Sequence, residues 1–266
     1  MDRTHASGAD AASIDLEARI SVLGSAYLFR GIPPEELRPL ARGARELRVP
    51  RGEALFHIGD PANGVHVVVD GLMKESAVGS DGREIVFEVY TRGGVEGEPG
   101  TFSFEGQRMV DFTAVEDSTL LLIERDALLA FGWNHREVIV RLLGGLVEQV
   151  RQGVDDQVAL AFEPIRDRTA LKLVELAHGR GEPDGDRTRI PLRLSQSTLA
   201  AMAGATRENV NRALGALASE GLVQQVGGHL VLDTAGLVRS LGEPRNRVQR
   251  NRAASAGVAG RCDTRH

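Results

Sequence analysis

The sequence predicts an α+β fold: an N-terminal antiparallel β-barrel of jelly-roll-like type, one long helix, and a C-terminal winged helix-turn-helix. Three observations predict it. Short runs rich in Val, Ile, Leu and Phe alternate with turn residues from about 47 to 124, apolar residues recur at helical spacing from about 134 to 162, and two short helical segments meet at Gly204. Dense turn signals between short strands are typical of barrels and sandwiches, whereas a period of three or four residues indicates a helix.

These patterns divide the chain into five segments. We expect a flexible N-terminal extension at 1–24, the β domain at 25–133, the long helix and hinge at 134–163, the winged helix at 164–240, and a basic, disordered tail at 241–266. The two terminal segments are rich in Ala and charged residues and carry few large apolar groups, which is typical of disorder.

The long helix carries a continuous apolar seam. Its members are Leu143, Val147, Val150, Val154, Val158 and Ala161. A seam with this spacing pairs with another helix, and its length favours a homodimer helix over packing within the same domain. The break at Phe162–Pro164 is the predicted hinge, and residues 179–186 are predicted to form a polar loop.

The region 195–214 has the capping and turn residues of two successive helices. Ser195 is a suitable N-cap for the first helix, Gly204 can leave the helical region at the turn, and Thr206 can cap the second helix. Val210, Leu214 and Leu217 form the predicted buried stripe of the second helix.

Arg207, Glu208 and Arg212 lie on other faces of that helix, near its start. Arginine can fork onto O6 and N7 of guanine, and glutamate can accept from cytosine N4, so the trio suits a helix that enters the DNA major groove. A hairpin signal at Gly227–Gly228 completes a winged helix. The alternative is an ordinary helical pair that packs in a core.

Charge is distributed unevenly along the chain. Residues 1–186 carry 20 Lys and Arg against 32 Asp and Glu, whereas residues 187–266 carry 12 against 5, for an overall net charge of −5. A basic unit appended to an acidic domain is the electrostatic pattern of a DNA-binding protein.

This order of elements resembles the cyclic AMP receptor protein (CRP/FNR) family of bacterial transcription factors, over roughly residues 28–235. The most specific match is Thr-Arg-Glu-Asn-Val-Asn-Arg at 206–212. The resemblance implies base contacts by Arg207, Glu208 and Arg212 on a palindromic TGTGA-like operator, and phosphate contacts by Ser195 and Thr206. It also implies a homodimer on double-stranded DNA, with RNA polymerase as a further partner.

A second match lies in the β domain, where Gly97-Glu98-Pro99-Gly100 is followed by Arg108. It resembles the family's cyclic-nucleotide-binding cassette, and implies a site for cAMP or another cyclic nucleotide made by Gly97, Glu98, Arg108 and Met109. A bidentate arginine suits a cyclic phosphodiester, and a glutamate can accept a ribose hydroxyl. The alternative is that Glu98 and Arg108 are two solvated charges near a loop.

The cassette departs from the pattern of cAMP binders at its base-recognition end. Met109 stands where Ser or Thr is usual, and Gly153 and Val154 stand where hydroxyl side chains usually meet the adenine. Three alternatives follow: weaker cAMP binding, a different nucleotide, or a vestigial pocket in a regulator that binds DNA without cAMP. A separate alternative is a nucleotide sensor that acts mainly through protein contacts, with the winged helix as a docking surface.

Other functions are disfavoured by what the sequence contains. The single cysteine, Cys262, cannot supply the ligands of an iron–sulfur cluster, and a lone strand histidine such as His57 or His66 is more often structural than a haem ligand. The histidines have no zinc-ligand spacing, and no signature of catalysis is present, so we expect neither a metal site nor an enzyme. No apolar run could cross a membrane, and we expect a cytoplasmic protein.

Overall fold

The structure, a computed structural model, describes residues 13–241. Within them, residues 13–77 and 87–148 form one compact unit, and residues 78–86 and 149–241 form the other. The first contains the β domain except for residues 78–86, and the second contains the helix-turn-helix. The helix α5 (Arg136–Phe162) runs from one unit into the other.

Two four-stranded sheets, each antiparallel in its resolved pairings, form the β domain. The strands are β1 (Arg45–Val49), β2 (Ala54–Phe56), β3 (Gly64–Asp70), β4 (Met73–Val78), β5 (Glu84–Tyr90), β6 (Val95–Glu96), β7 (Asp111–Ala114) and β8 (Ser118–Glu124). The orders are β1-β8-β3-β6 and β2-β7-β4-β5. The jelly-roll-like architecture is therefore confirmed, but the sheets remain separate instead of closing into one barrel.

Strand β3 shows why its sheet is buried on both faces. Val68 packs with Phe112 of the second sheet, whereas Val67 and Val69 pack with the helices on the other side. Alternate side chains of a strand point to opposite faces, so an almost continuous apolar run serves two cores.

The helices of this unit are α1 (Leu16–Ser25), α2 (Pro34–Gly43), the short α3 (Glu98–Phe102), α4 (Arg125–Asn134) and the first part of α5. The prediction of a flexible extension at 1–24 is wrong for residues 16–24, because Asp15 caps α1 and Val22 and Leu23 are fully buried. Charged residues interrupt the apolar pattern of this segment, so the sequence alone did not predict the helix. Residues 1–12 lie outside the described residues.

The second unit contains α6 (Ile165–Arg180), β9 (Glu182–Asp184), β10 (Arg187–Ile190), α7 (Gln196–Met202), α8 (Arg207–Ser219), β11 (Val223–Val226), β12 (His229–Leu232) and α9 (Thr234–Ser240). The sheet order is β11-β12-β10-β9. The predicted hairpin is β11–β12, and its turn residues Gly227 and Gly228 have φ values of +58° and +83°. The predicted polar loop at 179–186 is wrong, because β9 pairs there with β10.

Two polar clusters bind the last part of α5 to its own unit. Arg168 of α6 donates to the carbonyl oxygens of Glu163, Ala203 and Gly204 at 3.2, 2.9 and 3.2 Å. Lys172 contacts Asp156 of α5 at 2.8 Å and Glu175 at 3.0 Å. The chain does break at Phe162–Pro164 as predicted, but the boundary between the compact units falls within α5, after residue 148.

Candidate functional site

The helix-turn-helix has the caps that its sequence predicts. Ser195 accepts from the backbone N–H of Thr198 at 3.0 Å, and Thr206 accepts from that of Asn209 at 3.3 Å. Each cap satisfies one N–H group that the first helical turn leaves without a partner. The capping bond leaves the hydroxyl proton of Thr206 able to donate to a phosphate. Ser195 Oγ also lies 2.9 Å from Thr198 Oγ1, and either of these two hydroxyls can donate to the other.

Gly204 makes the turn between α7 and α8. Its φ is +58°, in the left-handed region that favours glycine. A Cβ there would also lie 2.5 Å from Cδ2 of Leu160 in α5. Glycine is therefore required twice, by conformation and by space.

The first turns of α8 present charged side chains to solvent. The side chains of Glu208 and Arg212 are 84% and 73% exposed, and Arg207 is exposed as well. Val210, Ala213 and Leu217 are the buried face, and Leu214 of the predicted stripe is half-buried. The arrangement is that of a helix anchored by one face and open to a partner on the other.

Two amide side chains that sequence reasoning missed orient these arginines. Gln196, the first residue of α7, accepts through Oε1 from Arg207 Nε at 3.1 Å and from Asn211 Nδ2 at 3.1 Å. Asn209 accepts from Arg212, which also lies 4.0 Å from Glu208. Exposed contacts of this kind contribute little to stability, so a partner can replace them at small cost.

The cassette of the β domain is buried. Arg108 is 4% exposed, and it donates to the carbonyl oxygens of Gly64 at 2.9 Å and Gly97 at 3.4 Å. Its guanidinium lies 4.3 Å above the ring of Phe56. Gly97 has a φ of +106°, and a Cβ there would lie 2.3 Å from Nη1 of Arg108. The glycine therefore allows the arginine to reach its backbone.

Glu98 is the first residue of α3 and is 1% exposed. Its Oε1 accepts from the hydroxyl of Tyr27 at 2.7 Å, and its Oε2 has no hydrogen-bond partner among the described residues. Burial raises the pKa of Glu98, although the Tyr27 bond and Arg108 act in the opposite direction. The interpretation of Glu98 and Arg108 as two solvated charges is wrong.

Arginine has five N–H donors, and two of those on Arg108 reach backbone oxygens. The N–H of Nε has no partner in the part of the chain that the structure describes. Buried polar atoms are nearly always hydrogen-bonded in folded proteins. The unused Nε of Arg108 and Oε2 of Glu98 therefore suit a ligand with an anionic group and a hydroxyl.

Further polar groups pack around the cassette, and no local sequence motif predicts them. Glu96 and His66 are 5% and 4% exposed, and Oε2 of Glu96 lies 3.9 Å from Nδ1 of His66. Burial raises the pKa of Glu96 and lowers the pKa of His66, so both groups favour their neutral forms. Glu75 accepts from the hydroxyl of Tyr90 at 2.7 Å, and burial raises its pKa to about 7.

The residues that depart from the resemblance are not among these buried groups. The side chain of Met109 is 63% exposed. Gly153 and Val154 belong to the second unit, and Val154 is 54% exposed. The structure thus brings Gly97, Glu98 and Arg108 together and gives Met109 no buried role.

Helix α5 carries an exposed apolar face. Its members and their exposed fractions are Val140 64%, Leu143 58%, Val147 68%, Val150 70% and Val154 54%. Their spacing of three and four residues places them on one stripe, and Val138 and Leu142 on the opposite side are buried in the core. Of the other predicted seam residues, Val158 is half-buried and Ala161 is exposed.

Residues 13–241 contain neither a membrane-spanning helix nor a cluster of metal ligands. No helix is both long and apolar enough to cross a membrane, and no cluster of three His, Cys, Asp or Glu side chains could hold a metal ion. Cys262 and the basic tail at 242–266 lie outside the described residues.

Comparison with known proteins gives matches over both units. Residues 46–132 match the family described as the cyclic nucleotide-binding domain, and residues 167–240 match the Crp-like helix-turn-helix domain. The chain is 30% identical to the cyclic AMP receptor protein of Thermus thermophilus over 216 residues, which covers 80% of this chain and 95% of that protein.

Two further matches agree with these. The chain is 28% identical over 219 residues to the CRP-like cAMP-activated global transcriptional regulator of Mycobacterium tuberculosis, covering 82% of this chain and 97% of the relative. The structure of FixK2 from Bradyrhizobium japonicum aligns with a TM-score of 0.65 at 22% identity, covering 75% of this chain and 98% of that one. The last match supports the fold.

Proposed function

We propose that this chain, which belongs to the CRP/FNR family of transcription regulators, binds a palindromic TGTGA-like operator as a homodimer and is modulated by a cyclic nucleotide in its β domain. That it is a DNA-binding transcription regulator follows from the family. The observation that carries the proposal is the exposed start of α8, where amide side chains hydrogen-bond the two arginines and Glu208 lies beside Arg212.

Base readout by this helix rests on chemistry and exposure. Arg207 and Arg212 can each donate two parallel hydrogen bonds to guanine O6 and N7, and Glu208 can accept from cytosine N4. Ser195 and Thr206 stand at the N-termini of α7 and α8, where hydroxyl and backbone N–H groups favour a phosphate. Gln196 and Asn209 position the arginines before DNA arrives.

The proposal of a homodimer is supported by the exposed apolar stripe of α5. A stripe of exposed valine and leucine side chains at heptad-like spacing costs free energy in water, and a second copy of the same helix would bury it. Two recognition helices about 34 Å apart would then read the two halves of a palindrome. The two-fold symmetry of the operator would mirror that of the protein.

The proposal of a nucleotide ligand is supported by the polar atoms of the cassette that have no hydrogen-bond partner in the described chain. The Nε of Arg108 suits the phosphodiester, and Oε2 of Glu98 suits a ribose hydroxyl. Two relatives are named for cyclic AMP, so cAMP is the first candidate. Buried, preorganised groups with spare hydrogen-bonding capacity argue against a vestigial pocket. Met109, Gly153 and Val154 supply no side-chain hydroxyl for the base, so we expect base selectivity to differ from that of a cAMP-specific site.

The remaining assignments follow from this role. The relatives are transcription regulators, and we propose no catalytic activity for the chain. RNA polymerase is the proposed further partner, and the bacterial cytoplasm, where the DNA is, is the proposed location.

The experiment measures operator affinity with and without cAMP, cGMP and cyclic dinucleotides. The probes are a TGTGA palindrome and a duplex of the same composition with scrambled half-sites, each over a series of salt concentrations. We expect specific binding whose affinity rises steeply as the salt concentration falls, because arginines that contact phosphates release counterions from the DNA. Equal affinity for both duplexes would contradict sequence-specific binding, and no response to any nucleotide would contradict the ligand.

A further inference from the structure

Tyr27 contacts two functional elements of the first unit at once. It lies between α1 and α2, and its hydroxyl donates to Glu98 Oε1 at 2.7 Å. The same hydroxyl lies against Gly145 of α5, where a Cβ would come within 2.3 Å of Oη and 2.9 Å of Cζ. Tyr27 therefore fits only because residue 145 is glycine.

The chain around Tyr27 is fixed to the first part of α5. Arg141 donates from Nη1 to the carbonyl oxygen of Leu28 at 3.1 Å. Leu28 itself is fully buried, in the same core as Val138 and Leu142 of α5. A movement of α5 along this surface would therefore move Tyr27, and with it the hydrogen bond to Glu98.

The hydrogen bond leaves half of the carboxyl group available. Tyr27 occupies Oε1 of Glu98, and Oε2 is buried without a partner in the described chain. A hydroxyl that donates to Oε2 favours the ionised carboxylate, and an ionised acceptor strengthens the bond from Tyr27. Occupancy of Oε2 thus strengthens the bond that holds the Tyr27 hydroxyl in its position against Gly145 of α5.

We propose that Tyr27 couples ligand occupancy of Glu98 to α5. The inference rests on the proposed cyclic-nucleotide site and adds the route by which occupancy reaches the helix that continues into the second unit. Coupling between two sites is reciprocal. A change at Gly145 must therefore alter nucleotide affinity, although Gly145 has no part in the cassette.

The first test compares two adjacent glycines of α5. Gly145→Ala places a methyl group against Tyr27, whereas the methyl group of Gly144→Ala would meet nothing within 4 Å among residues 13–241. Calorimetric titration with cAMP should show an affinity at least about tenfold lower for Gly145→Ala and unchanged for Gly144→Ala, since a buried hydrogen bond to a charged group is lost only in the first. Light scattering and urea unfolding check that both variants keep their assembly and fold.

The second test is a double-mutant cycle. In a Tyr27→Ala background the methyl group of Gly145→Ala has room, so it should lower nucleotide affinity no further. Tyr27→Phe keeps the ring on Gly145 but removes the donor, and it should reduce the ratio of operator affinities with and without cAMP.

The outcomes separate this inference from the proposed ligand. A wild-type chain that binds no nucleotide of the panel overturns both. A wild-type chain that binds cAMP, with Gly145→Ala and Gly144→Ala behaving alike or with additive effects of Tyr27→Ala and Gly145→Ala, overturns the coupling alone. Should Gly145→Ala unfold, the Tyr27→Phe ratio decides, and an unchanged ratio overturns the coupling.

Discussion

The start of α8 and the cassette around Arg108 both use arginine and glutamate, yet they hold them in opposite environments. In α8 the side chains of Glu208 and Arg212 are 84% and 73% exposed, whereas Glu98 and Arg108 are 1% and 4% exposed. The exposed groups keep their water until a partner removes it. The buried groups are already desolvated and oriented, so a matching ligand meets preorganised partners. We therefore expect single substitutions in the cassette to lower nucleotide affinity more than single substitutions on α8 lower operator affinity.

Arg108→Ala should give the largest effect. It removes the only cationic side chain placed to meet the phosphate among the described cassette residues, and it takes one of two donors from the carbonyl oxygens of Gly64 and Gly97, which keep their hydrogen bonds from Thr101. We expect cAMP affinity to fall by about 100-fold or more, because truncating one partner of a buried charged pair costs roughly 2–5 kcal/mol. Titration calorimetry measures it. Arg108→Lys keeps the charge but loses the two parallel N–H donors of the guanidinium, so its cAMP affinity should lie between those of wild type and Arg108→Ala. Unchanged affinity in both variants would refute the phosphate assignment.

Arg212→Ala and Arg207→Ala should have smaller, base-specific effects. Each should weaken operator binding by roughly 1–3 kcal/mol and relax the preference at one base pair. The matched control is Arg239→Ala on α9, whose side chain is also 73% exposed and which should not change base preference. Gel-shift titrations with single-base variants of each half-site measure this. Equal losses on operator and scrambled DNA would show that the arginines contact phosphates only.

The pH dependence of stability tests the β domain through Glu75. Burial raises the pKa of Glu75 to about 7, above the value of about 4.3 in an unfolded chain. Between these values the native state holds the extra proton, so the contribution of Glu75 to stability is present below about pH 4.3 and is lost as pH rises toward 7.

Glu75→Gln should therefore flatten this part of the profile. The free energy of unfolding of the wild type, relative to that of the variant, should fall by about 1–3 kcal/mol between pH 4.5 and 7.5. Urea unfolding at both pH values measures the difference. The shifted pKa values of Glu98 and His66 arise from burial and from groups other than Glu75. The charge of Glu75 also helps to raise the pKa of Glu96, so the measured difference includes this coupling. Parallel profiles would contradict the burial of an uncharged Glu75.

The same contrast explains what the sequence could predict. The helix-turn-helix is local: Ser195, Gly204 and Thr206 lie within one short segment, and caps, turn and buried stripe follow from residue types at fixed spacing. The cassette depends on distant partners, since Tyr27 reaches Glu98 across 71 residues and Arg108 reaches Gly64 across 44. The resemblance to the cyclic-nucleotide-binding cassette implied Glu98 and Arg108. It could not reveal Tyr27, His66, Glu75 or Glu96, because only the folded chain brings them near.

Helices show a similar limit. The period of α5 was sufficient to predict its extent, yet the placement of its last fourteen residues in the second unit depends on side chains of α6. Leu16–Ser25 was missed because its apolar face is short and interrupted by charge. Tertiary packing, which decides both cases, leaves no periodic trace in the local sequence.

The contacts of Arg168 and Lys172 bear on which piece of the protein is autonomous. A fragment that begins at Pro164 would leave Lys172 without Asp156 and would expose the surface that Leu160 covers at Gly204. A fragment of residues 149–241 retains both. We expect the longer fragment to unfold cooperatively on heating and the shorter one to melt at a lower temperature, as measured by circular dichroism. The boundary between the two compact units then lies inside the continuous helix α5, not at Pro164 beyond its end.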